Sequence, residues 1–133
     1  MKVYDLPEEE RIKHKKEFDL VYSSGKIIYS NTKKVKAIYR FLKEENNPGV
    51  KVAFAISKKA GNAVWRNRVK RLMRESYRLN KHELATECKN KNLSLLLVFS
   101  LHSIRKKNYL KVYLNDILPE LSGILIKLKA SIS

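Results

Sequence analysis

Ser57-Lys58-Lys59-Ala60-Gly61-Asn62-Ala63-Val64-Trp65-Arg66-Asn67-Arg68-Val69-Lys70-Arg71 leads from a strand into a helix dense in positive charge. Immediately before it, Val52, Phe54 and Ile56 alternate with Ala53 and Ala55, the period of a strand. Gly61-Asn62 interrupts the chain, and from Ala63 to about Asn80 the period changes to that of a helix. At about 100° per residue, Trp65, Val69, Leu72, Met73 and Ser76 fall on one stripe. Arg66, Lys70, Arg71, Arg74 and Arg78 spread over the opposite side. Between Lys58 and Arg78, eight basic residues face one acid, Glu75, so 21 residues hold an excess of seven from a formal net charge of +16. A helix that cationic repels itself unless a polyanion lies beside it, which makes RNA or DNA the first partner to consider.

The rest of the composition narrows the class. A chain of 133 residues with 44% hydrophobic content suits one domain with its own core. We expect a single domain over residues 1–133, with about 1–10 as a mobile, acidic N-terminal extension. That end carries Asp5, Glu8, Glu9 and Glu10 and no apolar core of a signal peptide. No apolar run approaches the roughly 20 residues that span a bilayer. Cys88 is the single cysteine, so no internal disulfide forms, and a reducing, cytoplasmic setting is expected. His14, His82 and Cys88 show no metal-ligand spacing, so no protein-bound metal is expected.

Working outward, Lys13–Ser24 reads as a helix closed by Gly25. Phe18, Val21 and Tyr22 share one face of it, while Leu20 points the other way. Gly25–Ser30 reads as a short strand. Lys34–Leu42 reads as a second, with Val35, Ala37, Tyr39 and Phe41 on one side and Lys34, Lys36 and Arg40 on the other. The Glu44–Gly49 turn predicts that Val50–Ser57 pairs antiparallel with the strand before it. Leu93–Leu101 is nearly continuously apolar, as in a strand covered on both faces. Asn108–Lys129 reads as a last helix that Pro119 and Gly123 would kink or split. The resulting order, α-β-β-β-α-β-α, describes an α+β sandwich.

No catalytic constellation emerges. Asp116 and Glu120 sit about one helical turn apart, the spacing of a solvated face rather than of an acid–base dyad. Gly61 alone is no phosphate-binding loop, and no serine or cysteine stands in a nucleophile elbow. Binding chemistry is better supported. The Gly61-Asn62 turn can present backbone N–H groups at a helix start, where the dipole favours phosphate. Arg66 and Arg68 offer planar donor forks, and Asn67 can bond a base edge or the backbone. Phe18, Tyr22 and Tyr39 are aromatic candidates for stacking single-stranded bases, with core packing as the alternative for each. Trp65 is the exception and reads as a core anchor.

The Ser57–Arg71 stretch, with its Arg66-Asn67-Arg68 core, closely resembles the signature of the bacterial ribonuclease P protein subunit. Arg11-Ile12-Lys13, Glu17-Phe18, Val21-Tyr22 and Gly25-Lys26 are similar to that family's first helix, and the element order matches from Arg11 to about Lys129. The resemblance implies a fold like domain 2 of ribosomal protein S5, with a left-handed βαβ crossover through the basic helix, against the usual hand. It implies a monomeric protein that partners the catalytic RNA and precursor tRNA. It also implies that the RNA, with Mg²⁺ in its own active site, removes the 5′ leader. Lys58, Lys59, Asn62, Arg66, Asn67, Arg68, Lys70, Arg71 and Arg74 match the RNA-docking region. Phe18, Tyr22, Tyr39, Lys58 and Asn62 match the cleft for the leader. Ala60 replaces a larger apolar residue before the glycine, and the Leu93–Ser100 strand lacks the common Ala-Arg ending, so no functional residue carries over there. The alternative reading is a ribosomal or RNA-chaperone protein with no preference for a leader.

Overall fold

A computed structural model describes residues 6–132. Its elements are α1 (Lys15–Ser24), β1 (Lys26–Tyr29), β2 (Val35–Lys43), β3 (Gly49–Phe54), α2 (Ala63–Asn80), α3 (His82–Asn90), β4 (Leu93–Leu101) and α4 (Leu114–Ile132). Short 3₁₀ turns at Glu8–Glu10 and Lys58–Ala60 precede α1 and α2. The four strands form one sheet in the order β1-β2-β4-β3, in which only β3 and β4 run parallel.

The continuous apolar run of β4 has its expected cause. Leu95, Leu97 and Phe99 join the larger core with α2, α3 and α4, while Leu96 and Val98 join a smaller one with Val21 of α1. β4 therefore needs apolar residues on both faces. This centrality also corrects the expected hairpin. β2 and β3 do not pair across the Glu44–Gly49 turn, because β4 lies between them, antiparallel to β2 and parallel to β3. A nine-residue strand buried on both sides gains more from the sheet centre than either half-polar strand would. The β3–α2–α3–β4 connection is thus a crossover between neighbouring parallel strands.

Gly25 ends α1 for a reason other than left-handed backbone. Its conformation is extended (φ −78°, ψ 162°), but a Cβ there would stand 2.4 Å from Val21 O and 2.9 Å from Tyr39 O. Glycine is what lets α1 close onto β2. α3 follows α2 almost without a break through Lys81, and Leu84 and Cys88 on one of its faces enter the larger core.

Four further expectations change. Residues 6–10 of the segment read as a mobile end pack against the fold: Leu6 is buried, and Lys81 Nζ donates to Glu10 Oε1 at 2.6 Å. Residues 1–5, with Asp5, lie outside the described residues. The last helix begins at Leu114 rather than Asn108. Asn108 instead takes the Arg105 N–H on its Oδ1 and donates its Nδ2 to Ser103 O, a local side-chain turn that competes with helix. Asp116 then accepts the Tyr113 N–H, as in a capping box, and starts α4.

Pro119 does not split α4, which runs unbroken over Leu114–Ile132. An interior proline costs about 3 kcal/mol, and here Ile117, Leu121 and Ile124 are fully buried around it. Each such side chain contributes about 1.5–3 kcal/mol, so the three together outweigh that cost. Glu120 is also not a solvated residue. Only 8% exposed, its carboxylate accepts hydrogen bonds from Ser30 Oγ and Thr32 Oγ1, fastening the β1–β2 turn to α4.

Candidate nucleic-acid interface

The two sheet faces are covered unequally. On one face the larger core is closed by α2, α3 and α4. On the other, α1 packs through Phe18, Leu20 and Val21 over Ile38, Leu42, Leu96 and Val98. Beyond α1 the exposed part of that face is floored by small residues, Ala53, Ala55 and Ser100. The result is a groove of about 870 Å³, with Phe18 on one side and Lys59, Ala60 and Lys70 on the other. Lys36 rises from β2, and His102 and Arg105 stand beyond the end of β4. Among the described residues no carboxylate lines the groove, although Lys36, Lys59, Lys70 and Arg105 all do.

Asn62 organises the entry to α2. Its Oδ1 accepts the Trp65 N–H at 3.0 Å, making it the N-cap. The Asn62 role is therefore first a capping one, in a residue that is itself exposed. Ser57 repeats the device one turn earlier by accepting the Lys59 N–H. Gly61 is required by Trp65, because a Cβ at Gly61 would meet the indole at 2.6 Å. Trp65 is buried as expected, and its Nε1 donates to Tyr109 O at 2.9 Å.

With Trp65, Val69, Met73, Ser76 and Tyr77 buried, the cations of α2 are driven to the remaining face. Lys58, Lys59, Asn67, Arg68 and Arg71 are exposed, and Arg66, Lys70 and Arg74 are half-buried. Helix neighbours one turn apart lie about 5–6 Å from each other. That is inside the roughly 8 Å Debye length of physiological salt, so solvent screening leaves much of their repulsion in place. The single acid on α2, Glu75, is already held by both Arg78 Nε and a terminal nitrogen of the same guanidinium. Two arginines of the signature are oriented by backbone carbonyls, Arg66 by Gly61 O at 2.8 Å and Arg68 by Val112 O at 2.9 Å. Such bonds fix the guanidinium planes without neutralising them.

Arg74 adds an unmet donor. Its Nε is buried with no hydrogen-bond partner among the described residues, and the side chain lines a smaller groove of about 270 Å³ with Arg11 and Lys70 along the β3 edge. A buried unpaired donor among cations suits an anion.

Of the aromatic candidates, the structure brings two together and separates the third. Phe18 and Tyr22 stack at 6.5 Å between ring centroids on α1, and Tyr22 is exposed. Tyr39 lies on the opposite face of the sheet, where it packs with Phe41 against the larger core. It is not part of the groove. The strand alternation placed Tyr39 with Val35 and Ala37, which are buried on the α4 side, and so carried this answer. The β2 residue that does reach the groove is Lys36, one step out of phase. His102 and Arg105 were also missed, since they follow β4 in a loop without periodicity.

Comparison with known proteins bears on this geometry. The family described as Ribonuclease P matches residues 6–128. The chain is 39% identical over 82 residues to the ribonuclease P protein component of Bacillus cereus, covering 62% of this chain and 66% of that one. It is 36% identical over 106 residues to the ribonuclease P protein component of Alkaliphilus metalliredigens, covering 72% of this chain and 91% of the other. In fold it is similar to the RNase P protein of Staphylococcus aureus, with a TM-score of 0.65 at 20% identity over 93% of this chain and 98% of that one. The RNase P protein of Thermotoga maritima gives a TM-score of 0.62 at 21% identity, covering 89% and 96%. The family match over nearly the whole described chain agrees with the signature on α2 and with the order of the strands. This chain belongs to the ribonuclease P protein family.

Proposed function

We propose that this chain is an RNA-binding cofactor of a ribozyme, docking on a catalytic RNA through α2 and holding the 5′ leader of precursor tRNA in the groove beside α1. The observation that carries this reading is the groove, with no acid among its described lining residues, flanked by Phe18 and opening beside the basic face of α2. A single strand needs cations along its backbone and a flat apolar surface for its bases. Lys36, Lys59, Lys70 and Arg105 supply the first, and Phe18 with Tyr22 the second. On the other side, Arg66 and Arg68 present donors held by backbone carbonyls to a second RNA surface, with Asn67 and Arg71 beside them, and the groove along the β3 edge, with Arg11, Lys70 and Arg74, fits a phosphate.

The hydrolytic chemistry is assigned to the RNA partner. Mg²⁺ takes hard oxygen ligands, and a groove lined by lysine and arginine does not fit it. The protein's own residues bind and orient: they lower the repulsion between two RNA backbones and hold the leader in line. Binding spread along the leader should favour precursor over mature tRNA, because the mature product lacks the segment that fills the groove.

The test adds purified protein to its cognate catalytic RNA at low Mg²⁺ with precursor tRNA. Cleavage at the mature 5′ end should appear on addition of protein. Equal cleavage with and without it would remove the proposal, and cleavage by the protein alone would point to a protein-only nuclease. A ribosomal or chaperone-type binder would show equal affinity for substrates with and without a leader.

A further inference from the structure

We propose that the loop between β4 and α4 is a further RNA-contacting surface, one that grips an unpaired segment of the catalytic RNA beside Arg68 and Arg71. The inference rests on the proposed function above and extends it to Lys107, Lys111 and Tyr113, which lie outside the signature and outside the lining of the leader groove. Three hydrogen bonds make the loop and the signature one body: Lys106 N to Ala60 O at 2.7 Å, Trp65 Nε1 to Tyr109 O at 2.9 Å, and Arg68 Nε to Val112 O at 2.9 Å. A loop tied that closely to the start of α2 presents its side chains at a fixed place.

What it presents has the chemistry of a single-strand site. From His102 to Asn115 the chain holds Arg105, Lys106, Lys107 and Lys111 and no acid. Arg105, Lys107 and Lys111 are exposed, and none of the ion pairs among the described residues involves them. The first acid after them, Asp116, is occupied in accepting the Tyr113 N–H at 2.7 Å. Between these cations stand large apolar groups in water, Leu110 at 74% and Tyr113 at 56% exposure. Tyr113 directly precedes Leu114, which shares a groove of about 270 Å³ with Arg68, Arg71, Leu72 and Glu75, the last already held by Arg78. A base stacked on Tyr113 would have its phosphates within the field of Lys111 and of those arginines. Basic protein partners are disfavoured by the charge.

The loop can be tested without disturbing the fold, since its three anchoring acceptors and donors are backbone groups or belong to Trp65 and Arg68. Lys107→Gln with Lys111→Gln should lower the slope of log affinity against log salt, for the cognate catalytic RNA, by about 1.4–1.8, or 0.7–0.9 per lost phosphate contact. Tyr113→Ala should weaken that binding roughly 5- to 100-fold, and Tyr113→Phe should restore it, because stacking needs the ring and not the hydroxyl. The preference of the holoenzyme for leader-bearing over leaderless tRNA should stay as in the wild type. An unchanged slope in the double variant, or Tyr113→Phe as weak as Tyr113→Ala, would overturn the proposal. A loss confined to leader preference would overturn it too, by assigning the loop to the leader groove. Failure of the wild-type protein to bind the catalytic RNA would overturn the parent function and this surface with it.

Discussion

Asn62→Ala and Asn62→Asp, compared side by side, separate the two roles that converge on the start of α2. Asn62 Oδ1 accepts the Trp65 N–H at 3.0 Å, so alanine removes the cap and leaves one helix donor without its partner. A lost cap of this type costs about 1 kcal/mol, with a range of roughly 0.5–2. Unfolding entropy is about 2.1 cal/mol/K per residue, or about 0.28 kcal/mol/K for a chain of 133 residues. The expected fall in Tm is therefore about 3–4 °C. Aspartate keeps the acceptor and adds a negative charge at the positive end of the helix dipole, which contributes about 0.3–1 kcal/mol. Its Tm should equal or exceed that of the wild type. RNA binding should run the other way, because a carboxylate close to a phosphate costs at least about 1 kcal/mol, near five-fold in affinity. Thermal unfolding and titration with the catalytic RNA read the two effects independently. An alanine variant as stable as the wild type would refute the capping role. An aspartate variant with undiminished RNA affinity would refute the closeness of phosphate to this turn.

Other substitutions probe the supports of the site. Gly61→Ala places a methyl group 2.6 Å from the Trp65 ring, so overpacking should destabilise the fold by about 1–3 kcal/mol in urea unfolding, and a neutral result would show that the indole has room to move. Tyr39→Ala should lower stability and leave leader preference intact, since Tyr39 packs on the far face of the sheet; lost leader preference at wild-type stability would return it to the groove. For Glu120, burial raises the carboxyl pKa, but the hydrogen bonds from Thr32 and Ser30 and the Lys34 charge outweigh it, so the group titrates below 4.5 in the folded protein. A lowered folded pKa stabilises above the unfolded value and is lost as pH falls through the folded one. Stability followed from pH 6 downward should accordingly drop more steeply below about pH 4.5 in the wild type than in Glu120→Gln, and parallel profiles would contradict this.

Much of the fold was legible because burial here follows periodicity. Helix α2 and strand β4 each carry one unambiguous pattern, and both lie close to where the residues placed them. The strand order was less accessible. The Glu44–Gly49 turn looks like a hairpin locally, and only the two-sided burial of β4 explains why that strand separates β2 from β3. The second helix of the crossover, α3, shows itself in sequence only through Leu84 and Cys88, too short a pattern beside the charge of its flanks. The start of α4 was obscured because Asn108 makes a side-chain turn whose partners, Arg105 N and Ser103 O, no helical period reveals. Glu120 looked like a solvated acid because its partners, Ser30 and Thr32, are about 90 residues away in the chain.

The candidate site divides along the same line. The signature residues that face solvent were visible as the cations left over once Trp65, Val69 and Met73 were assigned to the core. The groove was only half visible. Phe18 and Tyr22 share a helix face and do stack, whereas Tyr39 was grouped with them by residue type against its own alternation. Lys36 reaches the groove from the polar phase of the same strand, and the loop cations become interpretable only once the Trp65–Tyr109 and Arg68–Val112 bonds are seen.

In the proposed function two RNA surfaces are carried separately, a groove for the leader and a helix face for the catalytic RNA. The most direct test measures the affinity of the reconstituted holoenzyme for leader-bearing and leaderless tRNA, in the wild type and in Phe18→Ala with Lys36→Gln. The wild type should show a leader preference that the double variant loses, while the affinity of the protein for the catalytic RNA alone stays the same. No preference in the wild type, or a parallel loss of both affinities in the variant, would contradict it.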